Sequence, residues 1–157
     1  EPKCDPSLFF ESSYTDHLTG LISEVVSRYS PISETMLYRH VTKLHGWQRA
    51  GRRIQERVMV CIGDNECRYE NGNLFIWKPG TFSEVLPFRS GLQRPPRDVP
   101  QAEIIGLIGE HEHVHRSSDP AKELATLMGL GRLSKDTRAY LEVCFAEHRR
   151  LNSESSD

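Results

Sequence analysis

Two groups of side chains in this chain can do chemistry. The first is cationic. Arg39, Lys43, Arg49, Arg52, Arg53 and Arg57 fall between positions 39 and 57, against the single acid Glu56. Arginine forks suit both guanine edges and phosphate oxygens, because two parallel charge-assisted bonds fit either partner. The second group is His111-Glu112-His113-Val114-His115, which satisfies the H-E-x-x-H pattern. Two histidines four apart on one helix face can hold Zn²⁺, with the glutamate as general base toward a metal-bound water. That site needs a third protein ligand, for which Glu142, Glu147 and His148 are the candidates.

Neither group acts unless the chain positions it. At 157 residues, 37% hydrophobic and 27% charged, the composition suits one folded domain or two small ones sharing a core. The net charge of -2 excludes a basic footprint over the whole surface. A polyanion, however, senses the local charge within a Debye length of roughly 8 to 10 Å, and the 39–57 stretch is locally basic. No apolar run approaches the roughly 20 residues of a membrane span. The chain opens Glu1-Pro2-Lys3-Cys4-Asp5, with neither an initiator Met nor an apolar leader. The expectation is a cytoplasmic piece of something longer, with no membrane contact and no cofactor. Cys4, Cys61, Cys67 and Cys144 form no C-x-x-C pair, and Cys61 and Cys144 fall on apolar helical faces, as buried thiols of a reducing compartment do.

The elements follow from periodicity and punctuation. Residues 1–12 read as a tail or linker. Leu18, Leu21, Ile22, Val25, Val26 and Tyr29 repeat with the spacing of one helix face, and Ser13 with Asp16 forms a capping box at its start. Ser33 caps a second helix with inner residues Leu37, Val41 and Leu44, and Gly46 supplies its left-handed end. After the short turn Gly46-Trp47-Gln48, a third helix over 49–62 buries Ile54, Val58, Cys61 and Ile62. Asn71-Gly72 then separates two β-prone runs, the strongest short hairpin signal. Three helices, with a tight turn before the third, followed by a hairpin: residues 13–80 read as a winged helix-turn-helix, with Trp47, Phe75 and Trp77 in the core between wing and helices.

Residues 81–100 hold a proline-rich connector with a short strand near Val85 to Phe88. Over 101–150 a fourth helix carries Ile104, Ile105 and Ile108. A fifth opens at Asp119-Pro120 and closes at Gly129, and a sixth, capped by Ser134, turns Thr137, Leu141, Cys144 and Phe145 inward. Residues 151–157 read as a disordered tail. Shifting the chain by 83 residues lays Leu44-His45-Gly46-Trp47-Gln48-Arg49 over Leu127-Met128-Gly129-Leu130-Gly131-Arg132 and brings the apolar registers of three helices into coincidence. The predicted fold is mainly α: a winged helix-turn-helix followed by a second tri-helical, helix-turn-helix-like unit.

In such a motif the third helix enters the major groove near its N-terminus while the second crosses the backbone. Gln48, Arg49, Arg52, Arg53 and Arg57 then meet nucleic acid, with Gln55 on or near the same outward surface, and Arg39 and Lys43 hold flanking phosphates. Arg68 and Asn71 offer the wing contact. Arg57 can instead brace the wing or the second helix. A docking face for a protein partner, or a merely solvated face, uses the same residues. The zinc reading is disfavoured, because the repeat lays 111–115 over the turn between two helices and Ser117-Ser118-Asp119-Pro120 leaves little helix beyond His115. No phosphate-binding loop, nucleophile elbow or dinucleotide fingerprint is present.

The segment Ser30-Pro31-Ile32 through Trp47-Gln48-Arg49-Ala50-Gly51-Arg52-Arg53-Ile54-Gln55-Glu56-Arg57-Val58 resembles a family of unknown function. That family forms the C-terminal module of large bacterial proteins combining a superfamily I helicase with a very-short-patch-repair-like nuclease. Its characteristic stretch falls on Trp47, Arg49, Ala50, Gly51, Arg53, Ile54, Glu56 and Arg57. Phe88-Arg89-Ser90-Gly91-Leu92 and Arg97-Asp98-Val99-Pro100 match its linker, and the likeness runs over most of 18–145. It implies a bacterial cytoplasmic parent acting on DNA, with the parent's helicase and nuclease domains as partners. It implies no activity for the module itself.

Overall fold

Leu18, Ile22, Val25 and Val26 line the buried side of α1 (Thr15–Tyr29). The structure, a computed structural model, describes residues 4–155. The capping box expected at Ser13 and Asp16 does not form. A 3₁₀ turn over Ser12–Tyr14 runs straight into α1, so its N-cap, Tyr14, has helical backbone and gives no side-chain cap. A side-chain cap requires an extended N-cap residue. Ser33 has that geometry, and its hydroxyl accepts from the Met36 amide at 3.2 Å to open α2 (Glu34–Leu44). Just before it, Ile32–Ser33 forms the short strand β1.

The next helix, α3 (Arg52–Val60), begins three residues later than the sequence suggests, because Gly51 is extended. Strands β2 (Glu66–Glu70) and β3 (Asn73–Trp77) make the expected hairpin, with Asn71 at φ 52° and Gly72 at φ 79° in its turn. The sheet has a third member that the sequence did not suggest. β1 pairs antiparallel with β3, Ile32 opposite Ile76, giving the order β1-β3-β2. Phe75 and Trp77 are buried, and Trp47 packs half-buried against the helical core.

Residues 4–12 are not a tail. A 3₁₀ turn over Pro6–Leu8 is capped by Asp5, and Phe9 is fully buried, its ring edge-on to His45 at 5.1 Å and to Trp47 at 5.0 Å. Positions 1–3 of the expected tail lie outside the described residues.

The chain divides into two units, Glu1–Phe82 and Ser83–Asp157. In the second, α4 (Gln101–Glu110) is buried over most of its length. α5 (Pro120–Leu127) is capped by Asp119, and α6 (Lys135–Ser155) opens where Ser134 accepts from the Thr137 amide at 3.1 Å. Ile104, Ile108, Leu124, Leu141, Cys144 and Phe145 fill the core. No strand forms at Val85 to Phe88. Instead, the Leu86 amide donates to the Ala102 carbonyl at 3.0 Å, and a Cβ at position 106 would meet the Leu86 carbonyl oxygen at 1.8 Å. Only glycine permits that approach. The tail expected from 151 is helical to Ser155, with Arg150 bonded to both Glu147 and Glu154 on the last turns. Residues 156–157 lie outside the described residues.

The 83-residue correspondence is visible bond by bond. α2 ends at Leu44 and α5 at Leu127; α3 starts at Arg52 and α6 at Lys135. Trp47 N–H donates to Thr42 at 2.9 Å, and Leu130 N–H to Ala125 at 2.9 Å; Gly46 N–H bonds Lys43, and Gly129 N–H bonds Thr126. Gly46 and Gly129 sit at φ 79° and 80°. This is one helix-ending motif built twice, a Schellman cap whose glycine takes the left-handed conformation. The described residues thus form six α-helices and a small three-stranded antiparallel sheet, mostly helix.

Candidate nucleic-acid interface

The cap at Gly46 reverses the chain after α2 and delivers Gln48 and Arg49 to the surface. Arg39 and Lys43 are exposed, one helical turn apart on α2, away from its buried Leu37 and Val41. Arg52 opens α3 with a side chain 90% exposed and pairs with Glu56 at 3.1 Å. An ion pair so exposed is worth only about 0–1 kcal/mol, so Arg52 can exchange Glu56 for another anion at little cost. Gln55 turns back to the Ala50 carbonyl at 3.0 Å and holds the turn instead of facing outward.

Two arginines of α3 have partners in the segment ahead of α1. Arg57 donates to the Phe9 carbonyl (3.1 Å), the Glu11 carbonyl (2.9 Å) and the Thr15 hydroxyl (2.9 Å). Three of its five N–H donors are held by the N-terminal segment, so Arg57 ties that segment to α3. Arg53 lies over the Phe10 ring, 4.5 Å from its centroid. On the hairpin, Arg68 stacks on Phe82 at 3.6 Å, and Asn71 is exposed at the tip.

The helical premise of the zinc site fails. α4 ends at Glu110, His111 breaks it at φ -134°, and Glu112–Arg116 is a 3₁₀ turn. With three residues per turn, positions four apart do not share a face. His115 turns to His148, ring nitrogens 3.0 Å apart, and meets the Phe145 ring edge-on. His113 lies 3.3 Å from Glu123, and Glu147 is held by Arg150. Among the described residues, no group of three His, Cys, Asp or Glu side chains is placed to hold a metal. Burial holds His115 below the usual histidine range, with the nearby His148 and Arg149 reinforcing it; burial also lowers His148.

Sequence reasoning missed a buried charge cluster. Glu103, fully buried on α4, accepts from the backbone and side chain of Arg89 and, through both oxygens, from Arg94. Burial alone raises a carboxyl pKa, but the bonds from Arg94 and Arg89 outweigh it and hold Glu103 below the carboxylate range. The cluster pins the 89–94 segment to α4. A glutamate inside the apolar run from Ala102 to Ile108, with arginines in the preceding loop, was its only trace in the sequence. Phe10 was missed as well, because an isolated Phe9-Phe10 pair carries no periodicity.

No helix of the described residues is long and apolar enough to cross a membrane. Residues 7–56 match a family model described as a protein of unknown function (DUF3320). That span includes Phe9, Phe10, α1, α2 and the first turn of α3, and overlaps the segment on which the resemblance above rests. No curated protein and no solved structure matches the chain.

Proposed function

We propose that the first unit is a winged helix-turn-helix that binds nucleic acid, DNA in the first instance, through the start of α3 and the outer face of α2. The observation that carries this reading is the exposure of Arg39, Lys43, Arg49, Arg52 and Arg53 around one capped turn, with Glu56 as the acid among them. Arg39 and Lys43 flank the turn to bind backbone, while Gln48, Arg49 and Arg52 reach forward from it. The second unit shares the helical plan and helix cap without the hairpin, and serves as a wingless copy. In the resemblance to helicase–nuclease C-terminal modules, the chain is an accessory binding element of a larger bacterial protein and not an enzyme.

Mapping of backbone amide shifts on the 157-residue chain with a generic duplex tests the surface. The reading expects the largest changes over 48–53 and at Arg39 and Lys43. Shifts confined to other surfaces would contradict it.

One observation favours a second reading, docking to a protein partner. Val60 at the far end of α3 is 75% exposed, and Leu44, expected on the inner face of α2, is 50% exposed because it lies at the helix end, beyond the buried Leu37 and Val41. A partner's apolar side chains could cover both, and shift changes centred on Leu44 and Val60 with a protein partner would identify that use.

A further inference from the structure

The Phe9-Phe10 pair is split by the fold. Phe9 is fully buried, while Phe10 is 44% exposed, with its ring edge-on to Phe9 at 5.1 Å. Phe10 thus keeps nearly half of its surface open to solvent or a ligand. Its position is nevertheless fixed. Arg57 bonds the carbonyls of Phe9 and Glu11, the residues on either side of Phe10. One turn earlier on the same helix, the Arg53 guanidinium lies 4.5 Å from the Phe10 ring centroid. α3 therefore both anchors the segment carrying the ring and places a cation over it. Arg49 and Arg52, exposed beside Arg53 in sequence, add positive charge at the same helix start.

A half-exposed aromatic ring, a guanidinium over it and neighbouring unburied arginines are the components that bind an unpaired base and its adjoining phosphates. A duplex hides its base faces within the helical stack, so a stacking platform gains nothing from duplex interior. We propose that Phe10 and Arg53 form a stacking platform for an unpaired base, so that the substrate of this surface is single-stranded nucleic acid or a junction with a frayed end. The inference rests on the α3 surface proposed above and specifies which polymer form it takes.

The test titrates the whole chain with a short single strand carrying a fluorescent adenine analogue that is quenched by stacking, and in parallel with a labelled blunt duplex, both at low salt. Three further proteins are compared: Phe10→Leu, which keeps an apolar side chain without a π face; Phe10→Tyr, which keeps the face; and Arg49→Glu/Arg52→Glu. The expected result is tighter binding of the single strand, with quenching on binding. In Phe10→Leu the single-strand affinity falls on the order of tenfold and the quenching is lost, while Phe10→Tyr retains both. Equal or better duplex binding, or a Phe10→Leu protein that binds and quenches like the wild type, overturns the platform and leaves the α3 surface standing. Absence of binding by either polymer overturns both. Loss of binding in Phe10→Tyr as well as Phe10→Leu marks Phe10 as a packing residue and also overturns the platform.

Discussion

Arg57 donates to the Phe9 carbonyl at 3.1 Å, and through this bond α3 holds in place the segment ahead of α1. Its two further bonds, to Glu11 and Thr15, both come from one terminal nitrogen, so three of its five N–H donors are spent inside the chain. An arginine five residues away on the same helix, Arg52, has its side chain almost wholly in water. Sequence position alone treats the two as equals, and the fold separates a tie from an exposed side chain.

That separation is measurable. Arg57→Ala removes three bonds from a charged donor and should cost about 2 kcal/mol, whereas Arg52→Ala should stay within about 0.5 kcal/mol of the wild type. Urea unfolding of both variants checks this. Equal, small losses would mean that the N-terminal segment is not held by Arg57.

The buried cluster at Glu103 gives a second expectation. Glu103→Gln leaves Arg94, 7% exposed, facing a neutral partner, and should cost about 3 kcal/mol in the unfolding of the second unit. The pH dependence carries its own sign. Because the folded pKa of Glu103 is depressed, its contribution is present above the ordinary carboxylate value and fades as pH falls through the folded one. Comparison of wild type and Glu103→Gln by thermal melting in acid should show that loss in the wild type alone.

The histidine pair titrates with the opposite charge sense. His115 and His148 are both held below the usual histidine pKa, so the folded state favours their neutral forms. Stability contributed by the pair is complete above the ordinary value of about 6.5 and declines as pH falls below it. Two-dimensional NMR titration of the imidazole protons should give midpoints below that value for both residues. Midpoints at or above it would contradict the packing of His115 against His148 and Phe145.

Much of the fold was legible because local signals agreed with one another. Ser33, Gly46, Asn71-Gly72, Asp119-Pro120 and Ser134 each mark a cap or turn whose backbone requirement few residues satisfy, and the structure uses all of them. The repeat of 83 residues was legible for the same reason, since Gly46 and Gly129 end equivalent helices. What escaped depended on partners distant in sequence. β1 is two residues long and exists only because β3 pairs with it. Phe9 joins a core that no periodicity connects it to, and Glu103 is intelligible only once Arg89 and Arg94 fold back over α4. The H-E-x-x-H spacing misled because the motif presumes a helix, and here the helix ends at Glu110.

The most direct test of the nucleic-acid reading is fluorescence anisotropy with labelled duplex and single strand over a salt series, wild type beside Arg52→Glu/Arg53→Glu. Arg39, Lys43, Arg49, Arg52 and Arg53, the cations of the surface proposed above, neutralise five phosphates between them when each meets one. The log–log salt slope on duplex should therefore be no steeper than about -4.5, and shallower on single strand. The account predicts binding that weakens with salt and collapses in the double variant. Absence of binding to both polymers at low salt, or binding indifferent to the charge reversal, would contradict it and leave the basic face as a protein-docking surface.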